Sequence, residues 1–153
     1  HMVLSTLHTN DAPSSLTRMV ELGVEPYLVA SSVTAIIAQR LARRLCVKCK
    51  LATVIEESTL SVLSQDTERF TEAQFYKPVG CVSGSNTGYR GRLAIHEIRS
   101  VTEEIQKLTM ANASSAEIAS MAEQQGLIRL LDDGLLKAAE GLTSVEEILR
   151  VVG

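Results

Sequence analysis

The sequence predicts a mixed α/β fold, and three observations carry that expectation. Val3, Leu4 and Leu7 read as a short buried strand whose end is crowded by Ser5, Thr6, His8, Thr9, Asn10 and Asp11. Tyr89 to Ile98 alternates, with Leu93 and Ile95 on one face and Arg90, Arg92, Ala94 and His96 on the other, the period of a strand. Between and after these segments, apolar residues recur at helical spacing, punctuated by capping residues and glycines.

In an open α/β sheet, ligands sit in the crevice outside the carboxyl ends of the strands. A first strand running into a polar loop therefore reads as the late part of a larger nucleotide-binding domain whose earlier strands are absent. His1-Met2 reads as a cloning scar, so natural sequence is expected from about Val3. Asp11 is placed to cap a helix, and Pro13 suits its first turn, where a missing N–H costs nothing. Leu16, Met19 and Val20 give that helix an apolar face, and Gly23 stops it. Pro26 opens a second helix, expected to continue through Leu28, Val29, Val33, Ile36, Ile37 and Leu41 to Leu45. Arg40, Arg43 and Arg44 would then complement the C-terminal end of its dipole.

Residues 46–88 change character. Cys46-Val-Lys-Cys49 begins an insert and Gly80-Cys81-Val-Ser-Gly-Ser-Asn-Thr-Gly88 ends it, with weak helical patches at Glu57–Leu63 and Glu72–Phe75. Residues 89–100 return as the alternating strand, and 101–153 read as a small bundle of about four helices. Thr102 starts the first of these, and Ser114-x-x-Glu117 and Ser144-x-x-Glu147 are capping-box patterns. Gly126 and Gly141 bracket the helix carrying Leu127, Leu130, Leu131, Leu135 and Leu136.

Composition narrows the function classes. With 153 residues, 45% of them hydrophobic, the chain can bury a core as one domain or two small lobes. A net charge of −3 gives no strong field toward nucleic acid or an acidic membrane. No apolar stretch approaches the roughly 20 residues of a membrane span. Three cysteines, an odd number, argue against a disulfide framework and for a reducing, cytoplasmic compartment. Neither G-x-x-x-x-G-K-[ST] nor G-x-G-x-x-G occurs, so the residues that would cradle a triphosphate and its magnesium are not in this chain. The chain alone is expected not to hydrolyse a nucleotide.

His8 admits two readings. At a strand's carboxyl end, with Thr6 and Thr9 beside it, it could hydrogen-bond a γ-phosphate or a lytic water; equally, it could be satisfied by the adjacent helix cap. Cys46-x-x-Cys49 and Cys81-x-x-Gly84 resemble three quarters of a structural zinc ribbon, with Gly84 at the fourth ligand position. Zinc normally takes four ligands, and His96 is not obviously within reach, so free thiols packed in a small lobe are favoured over a filled site. A thioredoxin-like role for Cys46 and Cys49 is disfavoured, because the motif follows a helix instead of opening one. Arg18 lies a short reach from the His8 loop, and Arg90 and Arg92 share one face of a glycine-flanked strand. Phosphoryl transfer relies on such positioned charge, although a surface arginine is usually just solvated.

Taken together, Val3-Leu-Ser-Thr-Leu-His-Thr-Asn-Asp-Ala-Pro13, Ala38-Gln-Arg-Leu-Ala-Arg-Arg-Leu-Cys46, the paired cysteine elements, Thr87-Gly-Tyr-Arg-Gly-Arg92 and Asp133 through Ile148 resemble the bacterial type II secretion and type IV pilus extension ATPases. The resemblance spans nearly the whole chain in order. It implies the C-terminal part of a RecA-like P-loop ATPase domain carrying a cysteine insert, followed by a helical region. It implies that the His8 segment faces the nucleotide and that Arg18 and Arg92 approach its pocket. With Thr6 and Thr9 beside His8 and Arg90 beside Arg92, the expected catalytic residues are His8, Arg18 and Arg92 and the expected nucleotide-binding residues are Thr6, Thr9 and Arg90. Cys46, Cys49, Cys81 and Gly84 fall on the family's four-cysteine zinc motif, from which Gly84 departs. The family acts as homo-hexamers that use ATP and magnesium to move an inner-membrane platform protein and work with cytoplasmic secretion or pilus components. The expected location is the cytoplasm, peripheral to the inner membrane through those partners.

Two other classes compete with this one. A zinc module binding nucleic acid would account for Arg40, Arg43, Arg44, Lys48 and Lys50 around Cys46 and Cys49. The net negative charge and 3% aromatic content oppose it, leaving little for base stacking. A non-catalytic helical adaptor is the other.

Overall fold

The first nine residues carry no regular secondary structure in the computed structural model, which describes residues 1–64, 67–70 and 72–152. The elements that follow are α1 (Ala12–Glu21), α2 (Pro26–Ser32), β1 (Ala35–Leu45), β2 (Leu51–Thr53), α3 (Glu57–Leu63), β3 (Phe75–Lys77), β4 (Tyr89–Ser100), α4 (Glu103–Met110), α5 (Ser115–Gln124), α6 (Leu130–Ala139) and α7 (Val145–Val152). Single 3₁₀ turns stand at Thr67–Phe70 and Val82–Gly84. The mixed α/β class is observed. Among the described residues, no helix is long and apolar enough to cross a membrane.

Four local expectations are corrected. Residues 3–7 are not a buried strand: Val3 and Leu4 are 80% and 90% exposed. A strand needs a neighbour to satisfy its backbone groups, and the sheets among the described residues contain only β1 with β4 and β2 with β3. The helix expected from Pro26 to Leu45 ends at Ser32, and residues 35–45 form β1. Val33, Thr34, Ile36 and Ile37 form a β-branched run that disfavours helix and suits a pleated surface. Phe75 opens β3 instead of closing a helical patch. Finally, the last four helices do not make a single bundle, because two pack in each of two compact units.

One unit comprises residues 1–38 and 97–128. Leu16 of α1, Val29 of α2, Val101, Ile105 of α4, and Ile118 and Ala122 of α5 form its core. Each large side chain so buried contributes about 1.5–3 kcal/mol over an exposed one. The helix starts are those the sequence marks. Asp11 accepts from the Ser14 N–H at 2.8 Å, Thr102 caps α4, and Ser114 and Glu117 form a complete capping box on α5. Gly23, at φ +92°, turns the chain out of α1 in the left-handed conformation that glycine adopts without strain.

The other unit comprises residues 39–96 and 129–153. Strands β2 and β3 pair antiparallel, with Leu51 opposite Lys77, Ala52 opposite Tyr76 and Thr53 opposite Phe75. Leu60, Phe70, Phe75, Leu135, Ala138 and Val145 form its core, and the Phe70 and Phe75 rings lie 6.3 Å apart at 45°. Helices α6 and α7 approach closely at Gly134, where a Cβ would stand 2.7 Å from Ile148 Cγ2.

Candidate functional site

His8 and Thr6 are exposed on the irregular N-terminal segment, and Thr9 is half-buried. The segment is anchored where it enters α1. The Thr9 and Ser15 hydroxyls are 2.7 Å apart, and the Ala12 N–H donates to Glu97 Oε1 at 2.8 Å. Glu97, 4% exposed, thus joins Asp11 as a second carboxylate at the positive end of α1. Arg18, on the exposed side of α1, pairs with Glu21 at 3.1 Å.

Arg90 and Arg92 belong to the other unit, on the exposed face of β4. The alternation read from the sequence continues through this strand: Tyr89, Ile95, Glu97 and Arg99 are buried, while Arg90, Arg92 and Ile98 face solvent. Gly91, at φ +80°, has open space where a Cβ would stand. Arg99 meets the Gln125 side-chain oxygen, and burial holds its guanidinium below the ordinary value.

The three cysteines are brought together. Cys46 follows β1, buried, and its N–H donates to the Gly88 carbonyl at 2.9 Å. The Cys49 and Lys50 N–H groups fold back onto the Cys46 carbonyl at 3.2 and 3.0 Å, turning the Cys-x-x-Cys segment around its first sulfur. The Cys81 segment makes the matching turn, with the Gly84 and Asn86 N–H groups on the Cys81 carbonyl, both at 2.9 Å. Cys46 and Cys81 Sγ are 3.8 Å apart, and all three sulfurs lie within 4.8 Å of one another. The Cys49 thiol donates to Cys81, and the Gly84 and Ser83 N–H groups also face the Cys81 sulfur, so the Cys81 pKa falls below its ordinary value. Burial pushes Cys49 up.

This donor set fits zinc at three corners. Tetrahedral zinc holds thiolates at about 2.3 Å, which sets sulfurs about 3.8 Å apart. Gly84 brings no donor; it is buried, and a Cβ there would stand 3.5 Å from Cys46 Sγ and 3.2 Å from Cys46 Cβ. His96 is not part of the cluster among the described residues; its N–H donates to Asp133 at 2.8 Å.

Sequence reasoning missed the polar network beside this nest. Glu147, whose side chain is fully buried, accepts from the Arg43 N–H at 2.8 Å and from its guanidinium at 2.9 and 2.6 Å. Arg150 adds bonds at 2.8 and 2.6 Å. Burial pushes the Glu147 carboxyl up, but the hydrogen bonds from Arg150 and Arg43 outweigh it and bring the pKa to about 2. Arg43 also lies over the Tyr89 ring at 4.2 Å, and the Tyr89 hydroxyl is 2.7 Å from Ser144 Oγ. Ser144 does cap α7, receiving the Glu147 N–H at 3.2 Å, but the Glu147 carboxylate turns to the arginines instead of closing a capping box. Lys50 donates to the Gly141 carbonyl at 2.8 Å and sits 4.2 Å from the Tyr76 ring centre. Arg43 and Lys50, both near the first cysteine pair, are therefore structural clamps.

The family model for type II/IV secretion system proteins matches residues 1–150. The chain is 46% identical over 152 residues to the type IV pilus assembly ATPase TfpB of Acinetobacter baylyi, covering 99% of the chain and 26% of the relative. It is 41% identical to the type IV pilus assembly ATPase PilB of Thermus thermophilus, covering 97% of the chain and 17% of that protein. The type II secretion system protein HxcR of Pseudomonas aeruginosa is 40% identical, with 99% of the chain and 28% of that protein covered. The chain thus spans less than a third of the length of each of these relatives.

Proposed function

The chain belongs to the type II/IV secretion system protein family, and from that premise we propose that it is the C-terminal portion of a motor ATPase coupling ATP hydrolysis to protein secretion or pilus extension. The observation that carries this reading is the ordered likeness of nearly all 153 residues to both pilus-assembly and secretion proteins. In the whole protein, a RecA-like core binds ATP and magnesium, and the active form is a homo-hexamer. That ring acts in the cytoplasm on an inner-membrane platform protein, with other secretion or pilus components. Residues 3–45 close the ATPase core, 46–88 are the cysteine insert, 89–100 return from it, and 101–153 form the helical end.

His8, Arg18 and Arg92 serve hydrolysis in this proposal, and Thr6, Thr9 and Arg90 contact the nucleotide. Cys46, Cys49 and Cys81 are the remaining ligands of a degenerate zinc ribbon that carries less than one zinc per chain as purified. The exposure of His8, Arg90 and Arg92 supports these roles, because a side chain that reaches a transferred phosphoryl group must not be locked into its own core. A nucleic-acid module is disfavoured by the engagement of Arg43 and Lys50 inside the protein.

The test is steady-state ATP hydrolysis by the full-length protein with His8→Ala, Arg18→Ala or Arg92→Ala, with thermal melts alongside. Charge fixed near a γ-phosphate is worth roughly 10³-fold or more. A solvated arginine changes stability by no more than about 0.5 kcal/mol and leaves turnover alone. Parent rates from all three variants, still hexameric, would end the nucleotide-facing assignment.

A further inference from the structure

Glu97 is a buried carboxylate with no part in the chemistry proposed above, and its bond lies at the root of the His8 segment. It is 4% exposed on β4, and burying a carboxylate is costly unless its oxygens are hydrogen-bonded. Its Oε1 accepts the N–H of Ala12, the first residue of α1, at 2.8 Å. Two further bonds hold the same turn. Asp11 accepts the Ser14 N–H at 2.8 Å, and the Thr9 and Ser15 hydroxyls lie 2.7 Å apart. Those two are internal to residues 9–15 and move with them. The Glu97 bond spans 85 positions of sequence and ties the turn to a strand that is itself paired with β1. Asp11 already caps α1, and Pro13, beside Ala12, has no N–H to satisfy. What Glu97 adds is a fixed point where the chain enters the helix.

We propose that Glu97 is a positioning residue for hydrolysis in the full-length protein: its bond to Ala12 fixes where α1 begins and so aims His8, just upstream, at the reacting phosphoryl group. Residues 6–9 have no regular secondary structure. With no backbone ladder of their own, their course is set by where the segment is anchored. The inference rests on the reading of His8 as a hydrolytic residue and deepens it by naming what holds that residue in place.

The experiment is steady-state ATP hydrolysis by the full-length protein carrying Glu97→Ala, Glu97→Gln, His8→Ala, or Glu97→Ala with His8→Ala. Size-exclusion chromatography and thermal melts accompany each. Glu97→Ala should lower kcat by about 10²-fold, the cost of misplacing a reacting group by about 1 Å. Glu97→Gln keeps an oxygen acceptor for Ala12 and should recover most of that loss. The double variant should turn over close to the slower single variant, because a residue that acts through His8 has nothing to aim once the imidazole is gone. Losses that multiply in the double variant overturn the positioning role and leave His8 its own. Parent turnover by folded Glu97→Ala does the same, even with a lowered melting temperature, since that is the mark of a purely structural carboxylate. Parent turnover by His8→Ala overturns the hydrolytic reading and the inference with it. If Glu97→Ala fails to fold, Glu97→Asp takes its place in the cycle, its shorter side chain drawing the carboxylate back from Ala12 while keeping the charge.

Discussion

Replacing Glu147 by Gln should make the protein less stable at neutral pH and leave it nearly unchanged in acid. The carboxylate is fully buried and accepts bonds from two guanidiniums and the Arg43 N–H. Its pKa of about 2 in the fold compares with an ordinary 4.5. Folding stability contributed by a depressed carboxyl is fully present above the unfolded value and is lost as pH falls through the folded one. At 1.36 kcal/mol per pH unit, the difference corresponds to at most about 3 kcal/mol, gained above pH 4.5 and fading toward pH 2. Glutamine keeps one carbonyl acceptor but no charge, so its deficit at pH 7 should be about 1.5–3 kcal/mol, the worth of hydrogen bonds to a charged group. The assay is urea unfolding at several pH values between 7 and 3, followed by tyrosine emission. There is no tryptophan, and two of the three tyrosines, Tyr76 and Tyr89, lie in the same unit as Glu147. The gap between parent and Glu147→Gln should narrow steadily below about pH 4.5. Parallel pH profiles for the two proteins would refute the charge-network account.

The chain purified alone should show no ATP hydrolysis, because the phosphate-binding loop pattern is missing from it; turnover that survives a second column and disappears with His8→Ala would contradict this. Elemental analysis of protein prepared without chelator should find clearly less than one zinc per chain. Gly134→Ala should destabilise by about 1–3 kcal/mol through crowding of Ile148, despite the gain of about 1 kcal/mol in helix propensity; a thermal melt at or above the parent's would contradict this. Ser114→Ala should cost about 1 kcal/mol by removing the α5 cap, read by chemical denaturation.

Features that depend on near neighbours along the chain were legible from the residues alone. Asp11, Thr102 and Ser114 cap helices because a short side-chain oxygen reaches a backbone N–H three residues on, wherever the helix packs. Gly23 ends α1 for the same kind of local reason. The alternation of residues 89–98 named β4, and extending it by one step would have marked Glu97 as buried. The cysteine spacing marked a candidate metal site, but only the fold brings sulfurs 35 residues apart to 3.8 Å and sets Gly84 against Cys46. Residues 35–45 carry apolar spacing compatible with either helix or strand, and pairing with β4, far along the chain, decides for strand. Residues 3–7 show the converse: strand-like side chains without a paired neighbour take no regular structure and stay exposed. Glu147 fits a capping box by sequence, yet Arg43, 104 residues away, takes its carboxylate. A buried charge goes to the strongest donors that the tertiary structure brings within reach, and spacing along the chain cannot name them.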